Sequence, residues 1–227
     1  MESLDGLVAL VPVRKDSERV VNKNIRPFAK KNLLSIKLEQ LKGISSVDAI
    51  VVSTDCKNMA DIARSMGVGV HMRDPYFCKA STSMNDVWAY LGREFSQASI
   101  IMYCNVTNPL FNTELYENCI KTFYARDRVF DSLTTVTKIN EFIWNDLGPV
   151  NHDLQNWPRS QDLPNWYVLN FAVNITTPQL MQERRNILGK NPLKFIVDKI
   201  SAIDIDDEYD FHISESLYLL SKEENNA

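Results

Sequence analysis

Glycine is scarce in this chain, with seven in 227 residues, and none falls in the charged loop that follows the first apolar segment. Neither G-x-G-x-x-G nor a P-loop is present there, so phosphate held at that point depends on side-chain clamping rather than backbone cradling. Cysteine is equally sparse. Cys56, Cys78, Cys104 and Cys119 form no C-x-x-C pair, and His71, His152 and His212 lack helical metal-binding spacing, which argues against a zinc site and a disulfide framework. The cysteines read as small buried hydrophobes of a reducing compartment.

Long apolar runs are also missing. The longest, residues 7–13, already contains Pro12, and no basic stretch followed by an apolar core opens the chain, so the expectation is a cytoplasmic protein with no membrane partner. An excess of positive charge is absent as well: 25 Lys plus Arg against 29 Asp plus Glu leaves −4. The overall field repels phosphate backbones, and nucleic acid is disfavoured as a partner. Residues 1–227 with 44% hydrophobic and 24% charged residues match one domain with one sizeable core.

What is present is a rhythm. Residues 7–13 are apolar throughout, as in a strand covered on both faces. Leu34, Leu38 and Leu41 then mark a helix over 32–43, capped by Asn32 and stopped by Gly43. Strands at 47–53, 68–72, 99–104 and 132–137 alternate with helices at 57–66, 84–97 and 114–125. Crossover units of this kind predict a doubly wound, mostly parallel α/β sheet. Residues 138–166 break the pattern with Pro149, Pro158, Pro164, Trp144, Trp157 and Trp166, and read as an excursion packed against the sheet or a second subunit. A strand at 168–175, a helix at 178–187, strands within 194–206 and a helix at 209–221 follow, with no internal repeat.

Ligands of open α/β sheets bind beyond the carboxyl ends of the strands. The loop after the first strand, residues 14–24, places Arg14, Lys15, Arg19 and Lys23 among hydroxyl and amide groups, as a polyanion site needs. A charged loop can equally be a merely solvated one. Near the C-terminus, Asp204 and Asp206 stand two apart; on a strand they face one side and converge on a hard cation, for which Mg2+ is expected. The competing reading is a polar strand end, with Asp207, Glu208 and Asp210 nearby.

Six motifs in order then resemble the sugar-acid cytidylyltransferases, the CMP-sialate synthetases and their relatives acting on Kdo, legionaminic and pseudaminic acids. They are the R-x-x-S-x-x-x-x-x-K-N-I-R pattern from Arg14, Ser53-Thr54-Asp55 with Arg73, Ala80-Ser81-Thr82-Ser83, Asn105-Val106-Thr107-Asn108-Pro109-Leu110, Pro158-Arg159-Ser160-Gln161-Asp162 and Ile203-Asp204-Ile205-Asp206. The resemblance covers nearly the whole chain. It implies that Arg14, Ser17, Arg19, Lys23, Asn24, Arg73, Ser81 and Ser83 bind CTP. Asn105, Thr107, Gln161 and Asn170 would contact the sugar acid, and Asp204 and Asp206 would hold Mg2+. Arg14, Lys23 and Arg159 would act at the reacting phosphates. It also implies that 138–166 exchanges between the subunits of a homodimer.

Departures bear on the acceptor. Glu18-Arg19 stands where many relatives have Lys-Gly; Arg19 resembles the Kdo enzymes, but their Asp-Glu-Pro motif has no counterpart at 105–109, which favours the sialate-like branch. Phe111 replaces an arginine usual after Pro-Leu, and Lys79 sits near a customary aspartate, so the sugar pocket is expected to differ. The acceptor carboxylate would then meet Arg159, Lys79 or Lys138. Three alternatives stand beside this reading: a cytidylyltransferase for another acidic or phosphonate acceptor, a non-catalytic nucleotide-binding homologue, and a glycosyltransferase using Asp204-Ile205-Asp206 as its metal motif.

Overall fold

The computed structural model describes residues 5–15 and 19–224. Its main sheet contains β1 (Leu7–Pro12), β2 (Ala49–Thr54), β3 (Gly69–Met72), β4 (Ile100–Cys104), β5 (Ser132–Ile139), β8 (Trp166–Thr176) and β9 (Pro192–Ile196), in the spatial order β3-β2-β1-β4-β8-β5-β9. A separate ribbon pairs β6 (Trp144–Asn145) with β7 (Gly148–Pro149). The helices are α1 (Leu33–Lys42), α2 (Lys57–Ser65), α3 (Met84–Glu94), α4 (Thr113–Ala125), α5 (Pro178–Arg184) and α6 (Glu208–Glu224).

The sheet is mostly parallel, as the alternating pattern predicts. β2, β1 and β4 run together with β3, and β5 runs with β9. β8 is the exception, antiparallel to both β4 and β5. Strand β1 is buried on both sides because its alternate residues feed two cores. Leu7, Ala9 and Val11 pack with Leu34, Leu38, Met59 and Ile120, while Val8 and Leu10 pack with Val87, Leu91 and Met181. Helices α1, α2 and α4 therefore cover one face, and α3 and α5 cover the other. Gly92 permits that second contact: a Cβ there would lie 2.8 Å from the Pro178 carbonyl oxygen and 2.9 Å from Met181 Cβ.

Local chemistry sets the element ends. Asn32 caps α1 by accepting from the Ser35 N–H at 2.8 Å, as expected from the sequence. Helix α5 stops at Arg184 rather than 187 because Arg185 adopts a left-handed φ of 51°. Strand β5 runs past 137 to pair Lys138 with Tyr167 and Ile139 with Trp166, so the excursion is shorter than 138–166. Its interior is an aromatic cluster of its own: His152 lies 4.9 Å from the ring centroids of both Phe142 and Trp157. The buried Asn151 side chain ties the cluster by accepting from Ile143 N–H and donating to the Glu141 carbonyl. Trp144 and Trp157 keep an exposed side.

One expectation is overturned. Residues 203–206 are not a strand; after β9 ends at Ile196 the chain continues without ladder pairing. The segment is held instead by single bonds to a loop, described below.

Helix α1 also buries a charge. Lys37 is fully enclosed, donating to the Asn108 carbonyl at 3.0 Å and lying 2.6 Å from the Tyr116 hydroxyl. Burial lowers its pKa from 10.5 to about 7. Between those two values the unfolded chain binds a proton that the folded chain has lost, so stability rises with pH through this window. We expect wild type to gain about 2 kcal/mol from this group between pH 7 and pH 9. Urea unfolding of wild type and Lys37→Met across that range measures it, and parallel pH dependences for the two proteins would contradict it.

Candidate active site

The strand order reverses between β1 and β4, and a cavity of about 290 Å3 opens at the carboxyl ends of these two strands. Pro12, Val13, Arg14, Arg19, Val20, Lys23 and Asn24 line it from the β1 side; Asn105, Val106 and Thr107 line it from the β4 side. Arg14, Arg19, Lys23, Asn24, Asn105 and Thr107 are thus brought together in one cavity. Ser17 lies outside the described residues.

Side chains shape the loop after β1. Asn24, buried, donates to the Arg14 carbonyl at 3.2 Å and so closes the loop across its base. Lys15 N–H donates to Asp55 at 3.0 Å, and Val13 N–H donates to the Ser53 carbonyl at 2.9 Å, pinning the loop to the end of β2. Arg73 spends its guanidinium on Ser53, donating to the hydroxyl at 3.1 Å and the carbonyl at 2.6 Å. The Ser53-Thr54-Asp55 motif is therefore the bracket on which the β1 loop rests. Ser81 is exposed, and the Ser83 hydroxyl caps α3 by accepting from Asn85 N–H.

A second, larger cavity of about 640 Å3 adjoins the carboxylates. Its polar lining includes Thr137, Lys138, Glu141, Asn170, Lys199, Asp204 and Asp206, with Ile139, Val168 and Leu169 as apolar wall. Asn170 reaches it through an irregularity of β8. Thr134 pairs with Asn174 but Val136 pairs with Leu169, so β8 bulges over residues 170–173. Phe171 there takes a φ of 53°, a strained conformation for an aromatic residue, and its carbonyl accepts from Asn105 Nδ2 at 3.0 Å.

Asp204 and Asp206 line the second cavity, and Asp206 reaches Arg19 of the first. They converge without a strand, because Ile205 N–H donates to the Thr107 carbonyl at 2.9 Å and Lys23 Nζ donates to the Ile205 carbonyl at 2.5 Å. Asp206 pairs with Arg19 at 2.7 Å. Asp204 is largely buried, and its Oδ1 has no hydrogen-bond partner. Burial, then the charge of Asp206, pushes the Asp204 carboxyl above its ordinary range despite the Thr107 hydroxyl and Lys23. Burial likewise lowers Lys23, against the pull of Asp204 and Asp206. Desolvation thus exceeds mutual attraction for both groups. A cation at Asp204 and an anion at Lys23 would relieve both at once.

The fit to Mg2+ can be judged on the donors. Among the described residues no three His, Cys, Asp or Glu side chains gather as a cage. Mg2+ bound through one or two carboxylates, with waters and substrate phosphates completing its shell, needs no cage. An orphaned buried carboxylate oxygen beside a second carboxylate and a cationic cavity fits that mode.

The other expected residues lie elsewhere. Arg159 is exposed and paired with Asp162 at 2.6 Å, Gln161 is exposed beside it, and neither lines the two cavities. Lys79 is exposed near the Tyr76 ring and lines neither. Phe111 is fully buried against Tyr116, so it belongs to the core and lines neither cavity. Sequence reading missed Thr137, Glu141 and Lys199. Thr137 and Glu141 are close in the chain but Lys199 is distant, and Lys199 and Glu141 meet only in the fold, at 2.9 Å.

Solved structures share this fold at low identity. A CMP:2-keto-3-deoxy-manno-octonic acid synthetase solved with CTP matches with a TM-score of 0.72 at 13% identity, over 95% of this chain and 99% of that one. The 4-diphosphocytidyl-2C-methyl-D-erythritol synthase of Anaerococcus prevotii matches with 0.67 at 13%, over 95% and 99%.

The family follows from sequence: the cytidylyltransferase profile matches residues 8–156, and the chain belongs to that family, a CTP-dependent class of enzymes. Relatives include the post-translational flagellin modification protein B of Campylobacter coli, 26% identical over 98% of this chain and 97% of that protein. The CMP-N,N'-diacetyllegionaminic acid synthase of Legionella pneumophila is 24% identical over 96% and 98%. The N-acylneuraminate cytidylyltransferase of Oncorhynchus mykiss is 24% identical over 94% of this chain, which spans about half of that longer protein (50%).

Asp204→Asn removes a poorly compensated buried charge while keeping its shape. The expected outcome is a fold at least as stable as wild type in thermal unfolding, with turnover reduced roughly 10²-fold or more. Near-normal turnover in Asp204→Asn or Asp206→Asn would refute the metal assignment.

Proposed function

We propose that this protein transfers the cytidylyl group of CTP to a sialic-acid-like 2-keto-3-deoxy sugar acid, giving a CMP-sugar and pyrophosphate. The observation that carries this reading is the pair of adjoining cavities. One is lined with cations at the strand-order switch point, the other has Lys138 and Lys199 over apolar wall together with Asp204 and Asp206, and the Arg19–Asp206 ion pair joins them.

The anomeric hydroxyl oxygen of the acceptor attacks the α-phosphorus in line. The bond from that phosphorus to the α,β-bridging oxygen breaks, pyrophosphate leaves with its electron pair, and the hydroxyl proton passes to solvent. Arg14, Arg19 and Lys23 neutralise the triphosphate and the charge that grows on the leaving pyrophosphate. Asp204 and Asp206 would hold Mg2+, which when bound supplies charge neutralisation and polarises the phosphoryl oxygens. Asn170 orients the acceptor from within its cavity, while Asn105 and Thr107, which line the nucleotide cavity, would act where the two substrates meet; Lys138 and Lys199 offer cations to the acceptor carboxylate.

Arg159 and Gln161 reach a site in this scheme only if another copy of the chain brings them there. The excursion that carries them is self-packed yet leaves Trp144, Leu147 and Trp157 exposed, and β8 exposes Val168 beside the acceptor cavity. These features support a homodimer in which the excursion completes the neighbouring site. A reaction that draws on the CTP pool fits a cytoplasmic enzyme.

The test is pyrophosphate release from CTP with Mg2+ against N-acetylneuraminic, legionaminic, pseudaminic and Kdo acids, with UTP and ATP as controls. Release with CTP and one acid is expected. Silence across the panel with CTP still bound in calorimetry would redirect the reading to another acidic or phosphonate acceptor, and no CTP binding would favour a non-catalytic homologue. Sedimentation of the active enzyme should show a dimer; a fully active 26.1 kDa species would refute the exchanged excursion.

A further inference from the structure

Lys37 is the one fully buried lysine of the described chain, and the mechanism above does not use it. Its amine meets the loop that follows β4. From there hydrogen bonds, joined through the backbone of that loop, lead to the segment that bears the carboxylates. Lys37 Nζ donates to the Asn108 carbonyl at 3.0 Å. The Asn108 side chain, also fully buried, donates to the Asn170 carbonyl at 3.3 Å and the Ile203 carbonyl at 3.2 Å. One residue earlier, the Thr107 carbonyl accepts from Ile205 N–H, and the Thr107 hydroxyl acts on Asp204 to lower its pKa. Asn108 thus joins the β4 loop, the β8 bulge and the carboxylate segment, three parts of the site from distant places in sequence.

A lysine is a costly choice for this position. The groups facing it are the Asn108 carbonyl, the Tyr116 hydroxyl and ring, and Cys104, whose thiol burial pushes up to about 12 and so keeps neutral. Among the described residues no carboxylate pairs with Lys37. A methionine or leucine would fill the same space without desolvating an amine. What the amine adds is a hydrogen bond that fixes the Asn108 peptide from below, and with it the orientation of the side chain that spans the three segments.

We propose that Lys37 is a positioning residue, which acts through Asn108 to align the loop bearing Asn105 and Thr107 with the segment bearing Asp204 and Asp206. The proposal rests on the reading of those carboxylates as the reaction's metal ligands. It makes no demand on the identity of the acceptor.

Lys37→Met keeps the volume and removes the bond. Pyrophosphate release at saturating CTP and acceptor should show kcat lowered at least tenfold, with KM for CTP within about threefold of wild type, in a protein still folded at the assay temperature. Tyr116→Phe removes the other partner of Lys37 but leaves the Asn108 bond, and should keep kcat within about threefold. Asn108→Leu, which severs the spanning bonds and spares Lys37, should reproduce the kcat loss; it also carries the test should Lys37→Met fail to fold.

Normal kcat in folded Lys37→Met or in Asn108→Leu, or an equal loss in Tyr116→Phe, would overturn the proposal and leave Lys37 a packing element. Asp204→Asn run in parallel separates the two readings. If it is as active as wild type, the carboxylate reading has failed. If it is inactive while the Lys37 and Asn108 variants are normal, only the positioning role has failed.

Discussion

The site depends on one short contact between segments almost a hundred residues apart: the hydrogen bond from Ile205 N–H to the Thr107 carbonyl. It is not part of any ladder, yet it sets where the carboxylates sit relative to the end of β4. Everything that makes the pair unusual follows from that docking. Asp204 is drawn in until one oxygen has no partner, Asp206 remains out far enough to meet Arg19, and Lys23 is drawn to the carbonyl between them. The interior polar groups that hold this docking, Asn108 and Asn170, are buried without charge; their amide N–H groups are satisfied by backbone carbonyls and the Thr137 hydroxyl, while Asn108 Oδ1 has no partner among the described residues. A fold that holds Lys23 and Asp204 part-buried and under-compensated gives up stability in favour of ligand affinity.

Much of this was legible in the sequence because local rules dominate the first half of the chain. An apolar strand followed by a glycine-free cationic loop indicated both the central position of β1 and the nature of the cavity at its end. Asn32, Ser83 and Asn112 mark helix starts by the same capping chemistry that the sequence reading relied on at Asn32. The second half was less readable. The Asp204-Ile205-Asp206 alternation has the period of a strand, but its partner is a loop carbonyl rather than a neighbouring strand, which periodicity alone does not reveal. The antiparallel run of β8 and its bulge at 170–173 were hidden for a related reason, since no turn residue in the sequence announces them.

Lys37 shows where a signal was present and passed over. It stands three residues after Leu34 and four before Leu41, on the apolar face that defines α1, and a lysine at such a position is either snorkelling or deliberately buried. Lys199 and Glu141 had no such signal: each lies in an irregular segment, and their meeting is a product of tertiary structure. Arg159 and Gln161 were readable as a motif, but the chain by itself leaves them on an exposed turn. Local pattern identifies which residues carry chemistry more readily than it identifies where the chain brings them.

On the reading proposed above, the charges that link the two cavities have a thermodynamic consequence. Asp204 and Asp206 belong to the acceptor cavity, and the same two carboxylates act on Lys23 of the nucleotide cavity. An occupant of either space changes the field felt in the other, so the two ligands share a coupling free energy. By reciprocity, whatever the nucleotide contributes to acceptor affinity the acceptor returns to the nucleotide in equal measure. The cleft itself, with no moving lid, would then make each substrate an effector of the other.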